Sequence, residues 1–169
     1  MSKLILLCIE TKKKARTDYQ YIAETIKRFY KDDRKISYKP IFLESKTRYK
    51  DNGKLKEIDK YRKNFPGDTK VIYFIDYDDS DTSSQTLKLF NEIINFCKNN
   101  NYEFVFFVKD IEDVYWGKQI NNDEKVEWAA KFKRKQLINN VKENNLLSNS
   151  IKQHCSNILV ILDKYWIRK

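Results

Sequence analysis

The sequence predicts a single α/β domain with a mostly parallel sheet of about four strands, helices on both faces and a helical C-terminal segment. Short apolar runs alternate with amphipathic segments of helical period along the first two thirds of the chain. The runs at 71–75 and 102–108 are almost continuously apolar, which is typical of parallel strands buried on both faces. Only 3 Gly and 2 Pro are present, which favours long elements joined by short loops.

The elements follow in chain order from the spacing of the apolar residues. Strand one is predicted at 3–9, and a helix at 17–30 has Thr17 or Asp18 as a suitable N-cap. Strand two, at 36–43, contains Pro40, which cannot donate a ladder hydrogen bond and therefore indicates an edge strand. Next come a helix at 54–65, a strand at 71–75, a helix at 83–98 and a strand at 102–108, then helices at 123–141 and 146–155, and a short strand or helix at 158–162.

Length, charge and cysteine usage limit the class of protein. The 169 residues fit one domain, 1–169, with an α/β core at 1–116 and a mainly helical extension at 117–169. The net charge of +10 favours a polyanionic partner such as nucleic acid. The 3 cysteines are widely spaced and form no CxxC motif, which indicates a cytoplasmic protein with inert thiols. No apolar run reaches membrane-spanning length, so we expect no membrane partner.

Four aspartates follow the buried strand at 71–75: Asp76, Asp78, Asp79 and Asp81. Like charges this close repel one another unless a cation lies among them, and Mg2+ or Mn2+ prefers carboxylate oxygens. Ligand sites in open α/β sheets form at the carboxyl ends of the strands. The run therefore predicts a metal site, with the alternative that Asp81 or Ser83 merely caps the next helix.

Glu10 ends strand one as Asp76 ends strand three. If these strands are neighbours, both carboxylates lie at one edge of the sheet, where Glu10 can act as a general acid or base or as a metal ligand. The alternative is a solvated glutamate at a strand end.

The ordered acids resemble the Toprim superfamily. Glu10 with Thr17-Asp18 is similar to its first motif, although Thr11 stands where the family has Gly, and Asp76-Tyr77-Asp78 is similar to its D-x-D motif. The segment from Phe106 to Trp116, with Glu112, resembles small Toprim-like proteins of the RloB and OLD-nuclease type, without their Ser-Asn-Pro.

This resemblance implies a Toprim-like, Rossmann-like fold and Mg2+-dependent phosphodiester cleavage of nucleic acid in phage defence. Glu10 would be the catalytic acid or base, and Asp76 and Asp78 would bind Mg2+, with Asp79 and Glu112 as further ligands. The resemblance also implies an ATPase partner, and the chain has no P-loop of its own.

Two basic segments are candidates for contacts with nucleic-acid phosphates. Trp128 and Phe132 accompany the second and could stack on unpaired bases, or could belong to the core. The alternative for both segments is a solvated, solubilising surface. The candidate residues are Lys12, Lys13, Lys14 and Arg16 after strand one, and Lys131, Arg134 and Lys135 on the helix at 123–141.

Two other functions remain open. Asp76-Tyr77-Asp78-Asp79-Ser80 also resembles the D-x-D-x-S motif of haloacid-dehalogenase-like phosphatases, in which the first Asp is a nucleophile, although that motif usually follows the first strand. A non-catalytic Toprim-like binding or regulatory subunit is the third hypothesis. His154, the only histidine, is predicted to be structural.

Overall fold

The computed structural model describes residues 1–78 and 83–169. It is an α/β fold with a four-stranded parallel sheet and helices on both faces, as predicted. The strands are β1 (Lys3–Ile9), β2 (Ile36–Phe42), β3 (Asp68–Tyr77) and β4 (Glu103–Val108), and the helices are α1 (Thr17–Phe29), α2 (Asn52–Asn64), α3 (Ser84–Asn99), α4 (Ile111–Trp116), α5 (Lys125–Arg134) and α6 (Ile158–Leu162).

The strand order is β2-β1-β3-β4, and every pair is parallel. The edge position predicted for β2 from Pro40 is confirmed. Because all the strands run in one direction, their carboxyl ends lie at a single edge of the sheet, which we call the carboxyl edge. The register of β1 and β3 pairs Ile9 with Phe74, so Glu10, just after β1, and Asp76, near the end of β3, both lie at this edge.

Alternate residues of β1 contribute to two hydrophobic clusters, one on each face of the sheet. Ile5, Leu7 and Ile9 pack with α1, α4, α5 and α6. Leu4, Leu6 and Cys8 pack with α2 and α3. Each of these strand residues is at most 3% exposed, which explains why β1 reads as a continuous apolar run rather than an alternating one.

The C-terminal segment differs from the sequence expectation. The helix predicted at 123–141 is shorter, because the chain turns at Gln136, whose φ of 50° is left-handed, into a 3-10 turn at Leu137–Asn140. The helix predicted at 146–155 is absent. Its residues instead meet β4, where the Val108 N–H donates to the Cys155 carbonyl at 3.0 Å. The ambiguous run at 158–162 is helix α6.

These C-terminal elements pack into the hydrophobic cluster of the sheet face that carries α1. Phe132, Leu162 and Trp166 share this cluster with Ile5 and Ile22. Among the helices of residues 1–78 and 83–169, none has both the length and the apolar character required to span a bilayer.

Candidate functional site

Glu10 and Asp76 come together at the carboxyl edge of β1 and β3. The backbone N–H of Asp76 donates to Glu10 Oε2 at 3.1 Å, which fixes the glutamate side chain against the end of β3. The proximity expected from the sequence follows from the pairing of these two strands.

A cavity of about 370 Å³ opens at this edge. Both signs of charge line it, and its polar walls suit a charged ligand with bound water better than an apolar one. The lining residues are Glu10, Asp76, Asp78 and Asp110, the lysines Lys46, Lys109 and Lys125, and the amides Gln119 and Asn122.

The loops after β2 and β4 supply three of these side chains. The Lys46 Nζ donates to the Asp76 carbonyl at 3.4 Å, which holds the lysine beside the end of β3. Lys109, at a left-handed φ of 64°, donates its N–H to the Tyr77 carbonyl at 2.6 Å and turns the chain out of the sheet. Asp110 then caps α4 by accepting the Asp113 N–H at 2.8 Å.

Lys125, the first residue of α5, is the internal counter-charge of the site. Its Nζ lies 3.1 Å from Asp110 Oδ2 and 2.9 Å from Glu112 Oε2. Glu112 is only 1% exposed, and neither carboxylate oxygen accepts a well-directed hydrogen bond from the described residues. The predicted further ligand Glu112 is therefore held in an ion pair with Lys125, and it is not among the cavity-lining residues above.

Burial and the repulsion between neighbouring carboxylates raise the pKa values of Glu10 and Asp76. Burial raises the pKa of Glu10 to about 7, with Lys46 and the Asp76 N–H opposing the rise and Asp18 adding to it. Burial, followed by the charges of Glu10 and Asp18, raises the pKa of the Asp76 carboxyl well above its usual range. A proton is thus exchangeable near neutral pH, which suits general acid or base chemistry.

Asp18 belongs to the same electrostatic cluster. Its prediction as N-cap, together with the alternative Thr17, is wrong, because Arg16 precedes the helix at a left-handed φ of 52°. Asp18 lies in the first turn of α1 and accepts the Thr17 hydroxyl at 3.0 Å. Burial raises the pKa of the Asp18 carboxyl, and its charge raises the pKa of Glu10 in turn.

Asp18 was predicted only as part of the first motif and as an N-cap. Six of the residues that line the cavity were absent from the predicted set: Lys46, Lys109, Asp110, Gln119, Asn122 and Lys125. The sequence contained a signal for Asp110, since it follows β4 almost as directly as Asp76 follows the apolar part of β3. The sequence contained no such signal for Lys46 or Lys125, because the chain has many lysines and only the folded structure shows which of them line the cavity.

The described acids that line the cavity provide no complete cage for a metal ion. Within residues 1–78 and 83–169, no three His, Cys, Asp or Glu side chains are close enough to form a complete cage. Mg2+ normally takes only one or two carboxylates and keeps several waters. Asp76 and Asp78 line one cavity and offer those carboxylates, while the predicted ligand Asp79, with Asp81, lies outside the described residues.

The first basic segment, at 12–16, follows β1 and is therefore anchored at the carboxyl edge. Lys12, Lys13 and Lys14 are exposed. The Arg16 guanidinium lies 5.7 Å from the centre of the Phe42 ring, a cation–π distance that attaches the loop to the end of β2. The loop thus continues directly from the carboxyl edge, but none of its basic residues is among the described residues that line the cavity.

The second basic segment lies on α5, where Arg134 and Lys135 are exposed and Lys131 is partly buried. Phe132 is 1% exposed and belongs to the core, which is the alternative to base stacking. The Trp128 ring has the ammonium groups of Lys118 and Lys131 at 4.3 and 4.6 Å from its centre. The Trp128 ring, which was a candidate for base stacking, therefore makes cation–π contacts with these two lysines in this structure.

Comparison with known proteins identifies no family. No protein-family model matches the chain, and no curated protein matches it. Among solved structures, the chain is similar to a de novo designed Rossmann fold protein, with 12% identity, a TM-score of 0.32, and coverage of 78% of this chain and 97% of that one.

Proposed function

We propose that this chain is a Toprim-like, Mg2+-dependent nuclease that cleaves phosphodiester bonds in nucleic acid. The observation that carries the proposal is the pairing of Glu10 with Asp76 at the carboxyl edge, inside a cavity that also contains lysines. Partly buried carboxylates suit a divalent cation, and ammonium groups beside them suit the phosphates of a polyanionic substrate.

Five of the residues that line the cavity have a role that follows from their chemistry. Asp76 and Asp78 would hold Mg2+, which supplies polarisation of the phosphate and stabilisation of developing charge. Glu10, with a pKa raised to about 7, exchanges a proton with the attacking water or the leaving oxygen. Lys46 and Lys109 attract the flanking phosphates into the cavity.

The direct test is cleavage by the purified chain with Mn2+ or Mg2+ on single-stranded DNA, duplex DNA and structured RNA. The matched control is an Asp76→Asn, Asp78→Asn double variant, which is expected to be inactive. Turnover of an aryl phosphate without nucleic-acid cleavage would favour the phosphatase alternative. Absence of both activities, alone and with an ATPase partner, would favour the binding subunit.

Metal binding is expected to stabilise the fold. A hundred-fold excess of Mn2+ over its dissociation constant should add about 2.7 kcal/mol to the free energy of unfolding. The Asp76→Asn, Asp78→Asn variant should lose this gain, because both carboxylates are removed from the cavity. Thermal denaturation with and without Mn2+ measures the effect, and equal shifts in the two proteins would rule out this metal site.

Nucleic-acid affinity is expected to depend steeply on salt through the loop at 12–16. Replacing Lys12, Lys13 and Lys14 by Ser should make the slope of log affinity against log salt shallower by about two units on single strands. Fluorescence anisotropy over a salt series measures the slope. An unchanged slope would assign these exposed lysines to solvent and leave Lys131, Arg134 and Lys135 as the candidate contacts.

A further inference from the structure

Asp113 follows Glu112 in α4 but contacts a different part of the chain. Its side chain is 2% exposed, and its Oδ2 lies 2.6 Å from the Nδ1 of His154. The side chain of His154 remains 31% exposed. A buried carboxylate on one ring nitrogen fixes the orientation of the imidazole and leaves Nε2 as the nitrogen that can meet a ligand.

The backbone around His154 is held in place. His154 has a left-handed φ of 57°, a conformation that is uncommon for residues other than Gly, although Asn, Asp and His adopt it more often than the rest. The next residues are tied to other elements, with the Cys155 carbonyl accepting the Val108 N–H at 3.0 Å and the Ser156 N–H donating to Asn145 at 2.7 Å. The ring is therefore presented from a fixed turn rather than from a free loop.

His154 lines a cavity of about 250 Å³ that contains none of the carboxyl-edge residues. Within the described residues, Nε2 has no hydrogen-bond partner. Besides His154, the polar side chains that line the cavity belong to the stretch 140–145, and the aromatic side chains belong to the end of α4. The cavity contains Asn140, Lys142 and Asn145 on the polar side and Tyr115 and Trp116 on the aromatic side.

These walls select the chemical class of the ligand. An ammonium and carboxamides donate hydrogen bonds, and the imidazole also donates from Nε2 in its protonated form, in which Nδ1–H donates to Asp113. Such a set of donors suits a phosphate group with its several acceptor oxygens. The neighbouring acid Glu143 is already paired with Arg168. The volume lies below the ~300 Å³ at which pockets for drug-sized ligands begin, so only a small molecule fits. An aromatic wall accommodates the less polar part of such a molecule, for example a sugar ring.

We propose that Asp113 and His154 form a second ligand site that binds a small phosphate monoester. His154 Nε2 and Lys142 contact the phosphate, and Asp113 positions the imidazole. The proposal does not depend on the nuclease activity, because it involves a separate cavity and separate side chains.

The test uses the fact that His154 is the only histidine in the chain. Its imidazole NMR signals have a single source, and they are followed while inorganic phosphate or ribose 5-phosphate is added. We expect saturable shifts of the Nε2 signal and slower carbethoxylation by diethyl pyrocarbonate. A Lys142→Ser variant should bind about tenfold more weakly, the loss expected for one charge-assisted hydrogen bond.

A Lys63→Ser variant is the matched control, since Lys63 is an exposed lysine of α2 and does not line this cavity. It should bind as tightly as the wild type. Imidazole signals that do not move at millimolar ligand would overturn the proposal, even if the ligand stabilised the protein by binding at the carboxyl edge. Equal affinities of wild type and Lys142→Ser would also overturn it. Both lysine variants change surface side chains and should fold normally.

Discussion

A Glu10→Gln variant is expected to lose phosphodiester cleavage by ~10²-fold or more while it keeps its fold and its affinity for nucleic acid. Glutamine has nearly the same volume, and its carbonyl oxygen can accept the Asp76 N–H that Glu10 Oε2 accepts now. It cannot exchange a proton. The variant therefore separates the chemical role of Glu10 from its structural role.

The measurement is a cleavage rate over a pH series, with thermal unfolding and binding as parallel readouts. The pKa of Glu10 is raised to about 7 in the protein without a metal ion, and a bound cation favours the charged carboxylate. The wild-type rate with Mn2+ should therefore change slope at or below about pH 7, and any residual Glu10→Gln rate should not. A Glu92→Gln variant, which alters an exposed glutamate of α3, is the control and should cleave normally. Undiminished cleavage by Glu10→Gln would exclude Glu10 from the mechanism.

A Lys125→Met variant is expected to lower the free energy of unfolding by about 2–3 kcal/mol at slightly alkaline pH. Methionine fills the space of the lysine stem but leaves Glu112, which is 1% exposed, without its ion-pair partner. We expect a smaller loss of stability than is usual when a fully buried ion pair is broken, because the Lys125 side chain is 22% exposed. Denaturant unfolding at equilibrium measures it.

The pH dependence of this loss follows from Glu112. Burial, followed by the charge of Asp18, raises its pKa to about 7, whereas Lys125 lowers it. A raised carboxyl pKa means that the folded protein binds the proton more tightly than the unfolded chain does. The free energy of unfolding therefore falls as the pH rises from about 4.5, the pKa of Glu112 in the unfolded chain, through about 7, its pKa in the folded protein. Removing Lys125 raises this pKa further, and the fall then continues to higher pH.

The Lys125→Met deficit should therefore be small near about pH 5 and large near about pH 8. Adding Glu112→Gln to Lys125→Met removes the unpaired charge and should restore part of the lost stability. A deficit that is independent of pH and unaffected by Glu112→Gln would contradict the assignment of Lys125 as the counter-charge of Glu112.

The α/β core was predictable because its elements carry strong local signals. β1 and the buried part of β3 are continuous apolar runs, in contrast to the alternating pattern of a strand that is buried on one face only. Pro40 indicates that β2 is an edge strand, because proline has no backbone N–H to donate to a neighbouring strand. The C-terminal segment was predicted less well. The apolar residues at 146–155 suggested a helix, but backbone hydrogen bonds to β4 and to Asn145 hold the later part of this stretch in an irregular path. Such long-range contacts leave no periodic pattern in the sequence.

The sequence alone indicated that Glu10 and Asp76 lie at or near the carboxyl ends of two strands, because each is the first acid after an apolar run. The alternation of strands with helices indicated that these strands are parallel. A shared direction of the strands then requires both carboxylates to lie at one edge. Only the tertiary structure decided that β1 and β3 are neighbours, that Lys46 and Lys125 reach the acids, and that Asp113 meets His154 across 41 residues of chain. Strand propensity is a local property, whereas the pairing of charges depends on which loops the packed core brings together.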